Sequence, residues 1–181
     1  MLKKIHIIWL ILMLLLFNGC SSEVSSDKTQ YESYVSKCVG SNEFLPTATD
    51  IINNDRFSYK FYEDNSVFAG CGIVVAEQLD TKDFENKKKE LESRLNYLSE
   101  PIYNEVLGML AIPQVEFKVD NYMFRVLLKK SEMLSYPKSF GMIAISETEN
   151  TIMYFAYYSP DLDYIEDMTD FVKTHFPGWN R

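Results

Sequence analysis

Gly141-Met142-Ile143-Ala144-Ile145-Ser146, Glu147-Thr148-Glu149-Asn150 and Thr151-Ile152-Met153-Tyr154-Phe155-Ala156-Tyr157-Tyr158 are consecutive: two apolar runs around four polar residues. Runs of this length, rich in β-branched and aromatic residues and separated by a short polar turn, predict a β-hairpin. Ser159-Pro160-Asp161 follows in the order of N-cap, N1 proline and first-turn acid. That order predicts a final helix with Ile165, Met168, Phe171 and Val172 on its buried face and Pro177-Gly178 at its end. The same succession occurs upstream. Phe57, Tyr59 and Phe61 alternate with Ser58, Lys60 and Tyr62, then come a polar turn at 63–66 and a second strand at 67–75 with Gly70-Cys71-Gly72 at its middle. A helix is predicted over 80–98, capped by Asp80, with Phe84, Leu91, Leu95 and Leu98 on one stripe and Pro101 ending it. The recurrence makes a candidate ββα pseudo-repeat, although no residue-level repeat accompanies it.

Between these units Val115, Phe117 and Val119 alternate with Glu116, Lys118 and Asp120, and 122–128 continues in strand character. Asp120-Asn121 reads either as a two-residue hairpin or as a bulge in one long strand. Near the start, 31–38 has helical spacing through Tyr31, Tyr34, Val35 and Cys38, Gly40 follows, and Phe44-Leu45-Pro46 reads as a packed loop. The expected class is α+β: a single antiparallel sheet with two or three helices packed on one face.

The amino terminus has a different grammar. Lys3 and Lys4 precede an unbroken apolar run at 7–17, after which Asn18-Gly19-Cys20-Ser21-Ser22 turns small and polar. This is the pattern of an export signal. Its 11 apolar residues fall well short of the ~20 needed to span a bilayer. The stretch Leu16-Phe17-Asn18-Gly19-Cys20-Ser21-Ser22 resembles the lipobox of bacterial lipoproteins. Gly19, Cys20 and the serines fit that pattern, whereas Phe17 and Asn18 depart from the family's leucine and small residue. The resemblance implies lipid on the Cys20 thiol and cleavage before it. It divides the chain into a signal peptide at 1–19, a lipidated cysteine with polar tether at 20–30, and one domain at 31–181. With its Asn42-Glu43-Phe44-Leu45-Pro46, Phe124-Arg125-Val126-Leu127-Leu128 and Asp161-Leu162-Asp163-Tyr164-Ile165 stretches, the chain is similar to small lipoproteins of low-GC Gram-positive bacteria. That similarity implies a place, lipid-anchored at the extracytoplasmic face of the cell membrane, and no activity.

Loss of Lys3 and Lys4 with the signal takes the formal charge from −8 to −10. Nucleic-acid binding needs a positive footprint, so it is not expected. An anionic membrane surface would also repel this chain, leaving the lipid to hold it there.

Three groups of residues are candidates for chemistry. Cys38 and Cys71 are either a disulfide, whose loop closure would contribute ~3.5–4 kcal/mol, or two buried small hydrophobes. Cys71 as a nucleophile with His175 as its base would make a small envelope hydrolase, as would an acidic pair. Asp161, Asp163, Glu166, Asp167 and Asp170 are dense enough for calcium but lack the glycine and the final bidentate acid of an EF-hand loop. First-turn acids on a solvated helix face explain them better, so no metal is expected. HExxH, CxxC, GxSxG and glycine-rich phosphate motifs are absent from the sequence, and no cofactor is implied.

Aromatic rings are the remaining signal. On the strand at 151–158, Phe155 and Tyr157 share one face and Tyr154 and Tyr158 the other, whereas a one-sided sheet needs one apolar face only. The excess is either covered by an unplaced segment such as 31–44 or open to a partner. The second option makes Tyr122, Tyr154 and Tyr158 the expected binding face for an envelope protein, peptide or glycan. The overall expectation is a non-enzymatic binding or interaction module, with the hydrolase and an accessory subunit of an envelope complex as alternatives.

Overall fold

The computed structural model of the protein describes residues 23–39, 44–63, 70–127, 139–160 and 162–180. The strands are Glu23–Ser25 (β1), Phe57–Glu63 (β2), Cys71–Gln78 (β3), Ile102–Asn104 (β4), Met109–Ile112 (β5), Glu116–Val119 (β6), Tyr122–Leu127 (β7), Ser139–Ser146 (β8) and Thr151–Tyr158 (β9). The helices are Tyr31–Val39 (α1), Ala48–Asn53 (α2), Thr81–Arg94 (α3) and Met168–His175 (α4). Seven strands form one antiparallel sheet in the order β1-β2-β3-β9-β8-β7-β6, and β4 pairs with β5 separately. The α+β class with a large antiparallel sheet, expected from the sequence, is what the protein has.

The middle of the sheet is the pair β3–β9, in register from Cys71 opposite Tyr158 to Gln78 opposite Thr151. Both faces of β9 are covered, which accounts for its double set of rings. Beneath one face, α1, α2 and α3 bury Tyr31, Val35, Cys38, Ile51, Phe84 and Leu91 against Phe61, Ile73, Val75, Tyr154 and Ala156. Three helices thus share this face: α1 and α3, expected from the sequence, and α2, which was not. The opposite face is closed by α4 and the residues after it, with Met168, Phe171, Phe176 and Trp179 packed on Val74, Phe124, Met142 and Phe155. The strand–strand–helix order does recur, as β2-β3-α3 and β8-β9-α4. The two helices fall on opposite faces, so rotating one hairpin onto the other does not superimpose the units.

Two glycines allow close approach, one on each face. A Cβ on Gly72 would lie 2.5 Å from the Phe176 ring, and one on Gly141 would lie 2.5 Å from the Phe44 ring. Asp120-Asn121 resolves as a two-residue hairpin, with Val119 opposite Tyr122 and Asp120 at φ 53°. Several boundaries differ from expectation. The segment read as a tether enters the fold at Glu23, because β1 pairs with β2 along Glu23, Val24 and Ser25. The Tyr59 hydroxyl then donates to the carbonyl of Asp27. Helix α3 stops at Arg94 rather than near residue 98, since Leu95 is extended and Leu98 N–H donates to the Val126 carbonyl. Helix α4 begins at Met168 rather than after Pro160. Its N-cap is Asp167, which accepts from Asp170 N–H, and Gln114 Oε1 accepts the Met168 N–H at 2.7 Å. The expected turn at 63–66, the start of the strand read at 67–75, Leu128 and Asp161 lie wholly or partly outside the described residues.

Candidate functional site

Helix α1 carries Cys38 to the first residue of β3. Tyr31 anchors its start by donating from its hydroxyl to the Pro46 carbonyl at 2.9 Å, and Tyr34 stacks on Phe61 with centroids 3.9 Å apart. Cys38 and Cys71 are joined as a disulfide with a Cα separation of 5.7 Å. The Cys71 sulfur is therefore not a free thiolate. Moreover, it belongs to the face covered by α1–α3, whereas His175 lies under the other face. There Tyr157 Oη is 3.4 Å from His175 Nδ1, and the Phe171 ring centroid is 4.5 Å from that of the imidazole. The sheet separates the two residues, and the pairing required by the cysteine-hydrolase reading does not form.

The expected aromatic face is also corrected. Tyr154 is 1% exposed, packed beneath α1–α3, and Tyr122 is 3% exposed on the opposite face, edge-on to Trp179 at 5.0 Å. Tyr158, half-buried, belongs with Tyr154 and not with Tyr122. The excess rings are covered by chain, in part by α1 and Phe44, rather than left open. The Tyr154 hydroxyl donates to Glu77 Oε2 at 2.9 Å, and burial followed by the nearby Glu77 charge pushes its pKa far up. Glu77 is itself 2% exposed and pairs with Arg56 at 3.2 Å, while Arg56 also reaches Asp83 on α3. This network satisfies a buried carboxylate and clips β3, β9, α3 and the residue preceding β2 together. An acidic pair for hydrolysis would need a second carboxylate sharing the site, and Glu77 faces a phenol and a guanidinium instead.

Among the acids of 161–170, Asp167 is a helix cap whose carboxyl is held below the ordinary carboxylate range, chiefly by the Asp170 N–H and then by Gln114. No group of three His, Cys, Asp or Glu residues able to hold a metal occurs among the described residues.

The surface feature that sequence reading missed is the hairpin 102–112. Asn104 builds its turn: its Oδ1 accepts from Val106 and Leu107 N–H at 3.1 and 3.2 Å, and its carbonyl accepts from Gly108 N–H. Gly108 sits at φ 68°, a conformation glycine adopts without penalty. Asn104 Nδ2 also donates to the Asp163 carbonyl, tying the turn to the segment before α4. Ala111 and Ile112 are buried at the root, whereas Tyr103, Val106, Leu107, Met109 and Leu110 are exposed, Val106 at 80%. Tyr164 is exposed on the segment that Asn104 holds. A concentration of exposed apolar side chains on one small element is the kind of patch that marks an interaction site. The available signal was Asn104 and Gly108 within a run of apolar residues after Pro101.

The hairpin's position follows from its two connections. Before it, Tyr97 bridges Leu127 at the end of β7, with the Arg125 guanidinium 3.7 Å above the Tyr97 ring centroid. After it, the Val115 carbonyl accepts from Val126 N–H as the chain enters β6. Both connections lie at the sheet end that carries Glu63, Cys71, Tyr158 and Ser139. Glu23, opposite Glu63, is at that same end. Comparison with protein-family models, curated proteins and solved structures finds no match to this chain.

Proposed function

We propose that the protein is a lipoprotein held at the extracytoplasmic face of a membrane by acyl chains on Cys20, its globular part serving as a non-enzymatic binding module. The observation that carries this reading is the Cys38–Cys71 bridge, 33 residues apart in sequence and joining the first helix to the centre of the sheet. Such bonds persist in oxidising compartments outside the cytoplasm, which agrees with an export signal at 1–19. No described helix is long and apolar enough to cross a membrane, so an anchor on Cys20 would supply the attachment. One acyl chain holds a protein marginally and two hold it firmly. The binding role is supported by the exposed apolar hairpin and by the separation of Cys71 from His175.

The test is labelling of expressing cells with radioactive palmitate, alongside thiol alkylation of the chain without reductant. Label should enter the wild-type chain and be lost in Cys20→Ala, and Cys38 and Cys71 should be recovered as one linked peptide pair. Label persisting in Cys20→Ala, or alkylation of both thiols in protein from native envelopes, overturns the reading.

A further inference from the structure

We infer that the hairpin 102–112 is a second membrane contact, its tip at Val106 and Leu107 seated in the boundary between headgroups and acyl chains of the bilayer that holds Cys20. The inference rests on the lipoprotein reading and adds an orientation to it. Only Ser21 and Ser22 separate Cys20 from Glu23, the first residue of β1. At ~3.3–3.6 Å per extended residue, the anchor can lie no more than about 11 Å from that strand. The sheet end that carries Glu23 is thus drawn to the membrane surface. The hairpin leaves the fold at the same end, beside β7, five strand spacings away from β1. At ~4.8 Å per spacing, the two contacts stand roughly 25 Å apart, enough to fix the tilt of the sheet.

The hairpin has the chemistry of an interfacial element. Val106, Leu107, Met109 and Leu110 offer aliphatic surface, and Tyr103 and Tyr164 flank it with amphipathic rings of the kind enriched at headgroup depth. The turn's amides are satisfied within the protein by Asn104, so immersion strands no Val106 or Leu107 N–H. Glu105, exposed at the tip, keeps its carboxylate at headgroup level and disfavours deep insertion and anionic lipid. A bilayer suits this better than a protein groove because the anchor already brings the hairpin to the lipid surface.

The experiment uses the full-length lipidated chain carrying Val106→Cys or Leu107→Cys. With Cys20 acylated and Cys38 bonded to Cys71, the introduced thiol alone accepts an environment-sensitive fluorophore. Ile52→Cys is the control: Ile52 is 51% exposed on α2, which leads into the opposite sheet end through Phe57. Each labelled chain is placed in phosphatidylcholine vesicles containing spin-labelled lipid. Quenching several-fold stronger at 106 and 107 than at 52 supports the contact. Equal, water-like emission at all three positions overturns it, as does photo-crosslinking from position 106 to protein rather than lipid in whole envelopes. Palmitate incorporation measured on the same chains separates the two readings, since a labelled chain with an unquenched tip removes the hairpin contact and leaves the anchor standing.

Discussion

Gly72 and Phe176 provide a quantitative test of how the sheet is closed on its α4 face. A methyl at Gly72 would sit 2.5 Å from Phe176 Cε1, where ordinary contact begins at 3.4 Å. The ring would have to retreat by about 1 Å, a retreat opposed by Phe155 and Tyr62, whose ring centroids are 5.2 and 5.5 Å away. Overpacking of this kind costs ~1–3 kcal/mol, so Gly72→Ala is expected to lose about 2. Phe176→Ala removes a ring from a fully buried site and is expected to cost ~3–5 kcal/mol. The double variant is the discriminating case. With the ring gone, the methyl occupies vacated space, and the strand gains the lower backbone entropy of alanine over glycine. The double variant should therefore be no less stable than Phe176→Ala alone, a coupling of about 2 kcal/mol against additivity. Urea unfolding followed by Trp179 fluorescence reads the effect, because Trp179 packs 5.6 Å from Phe155 in the same core. A neutral Gly72→Ala, or single costs that add in the double variant, would refute the packing explanation.

Tyr154→Phe keeps the ring and strips Glu77 of a hydrogen-bond donor in a buried place, so urea titration should register a loss of ~1–3 kcal/mol; an unchanged midpoint would show that the Tyr154–Glu77 bond contributes nothing. For Asp167 the folded pKa lies below the unfolded value of ~3.9, so its stabilisation is complete above that value and is lost as pH falls through the lowered one. Asp167→Ala should cost ~1 kcal/mol at neutral pH, and the difference from wild type should close in strong acid; a gap of constant size across that range contradicts the capping role.

The parts of the fold legible in the sequence are those in which local and tertiary demands coincide. The hairpin β8–β9 is legible as two apolar runs around a polar turn and α3 by its Asp80 cap, and the structure places them there. Helix α2 was passed over although Thr47 and Asp50 form a reciprocal capping box, because six residues carry too little periodicity to register. The start of α4 was misread because Ser159-Pro160 satisfies local capping rules, while Gln114, 54 residues upstream, supplies the bond that sets the observed start. The aromatic site failed for a related reason. Alternation assigns Tyr154 and Tyr158 to one face of a strand, but whether that face is open depends on where α1 lands. The Cys38–Cys71 bond that pins α1 is nonlocal information. Hairpin 102–112 was missed because its apolar residues are exposed, and periodicity rules infer structure from burial.

The central pairing of β3 with β9 also has a temporal consequence. From Gln78 opposite Thr151 to Cys71 opposite Tyr158, this central ladder joins residues 73 to 87 positions apart and closes only when most of the chain is present. Topologies dominated by such distant pairings fold slowly, since chain-closure entropy is spent before the contacts that repay it. Until β9 arrives, β3 presents an unpaired apolar edge, and neither helical layer has a complete floor to pack on. Were the chain to cross a membrane amino terminus first, as the export proposal requires, this one distant pairing would keep the native sheet from closing until β9 had crossed.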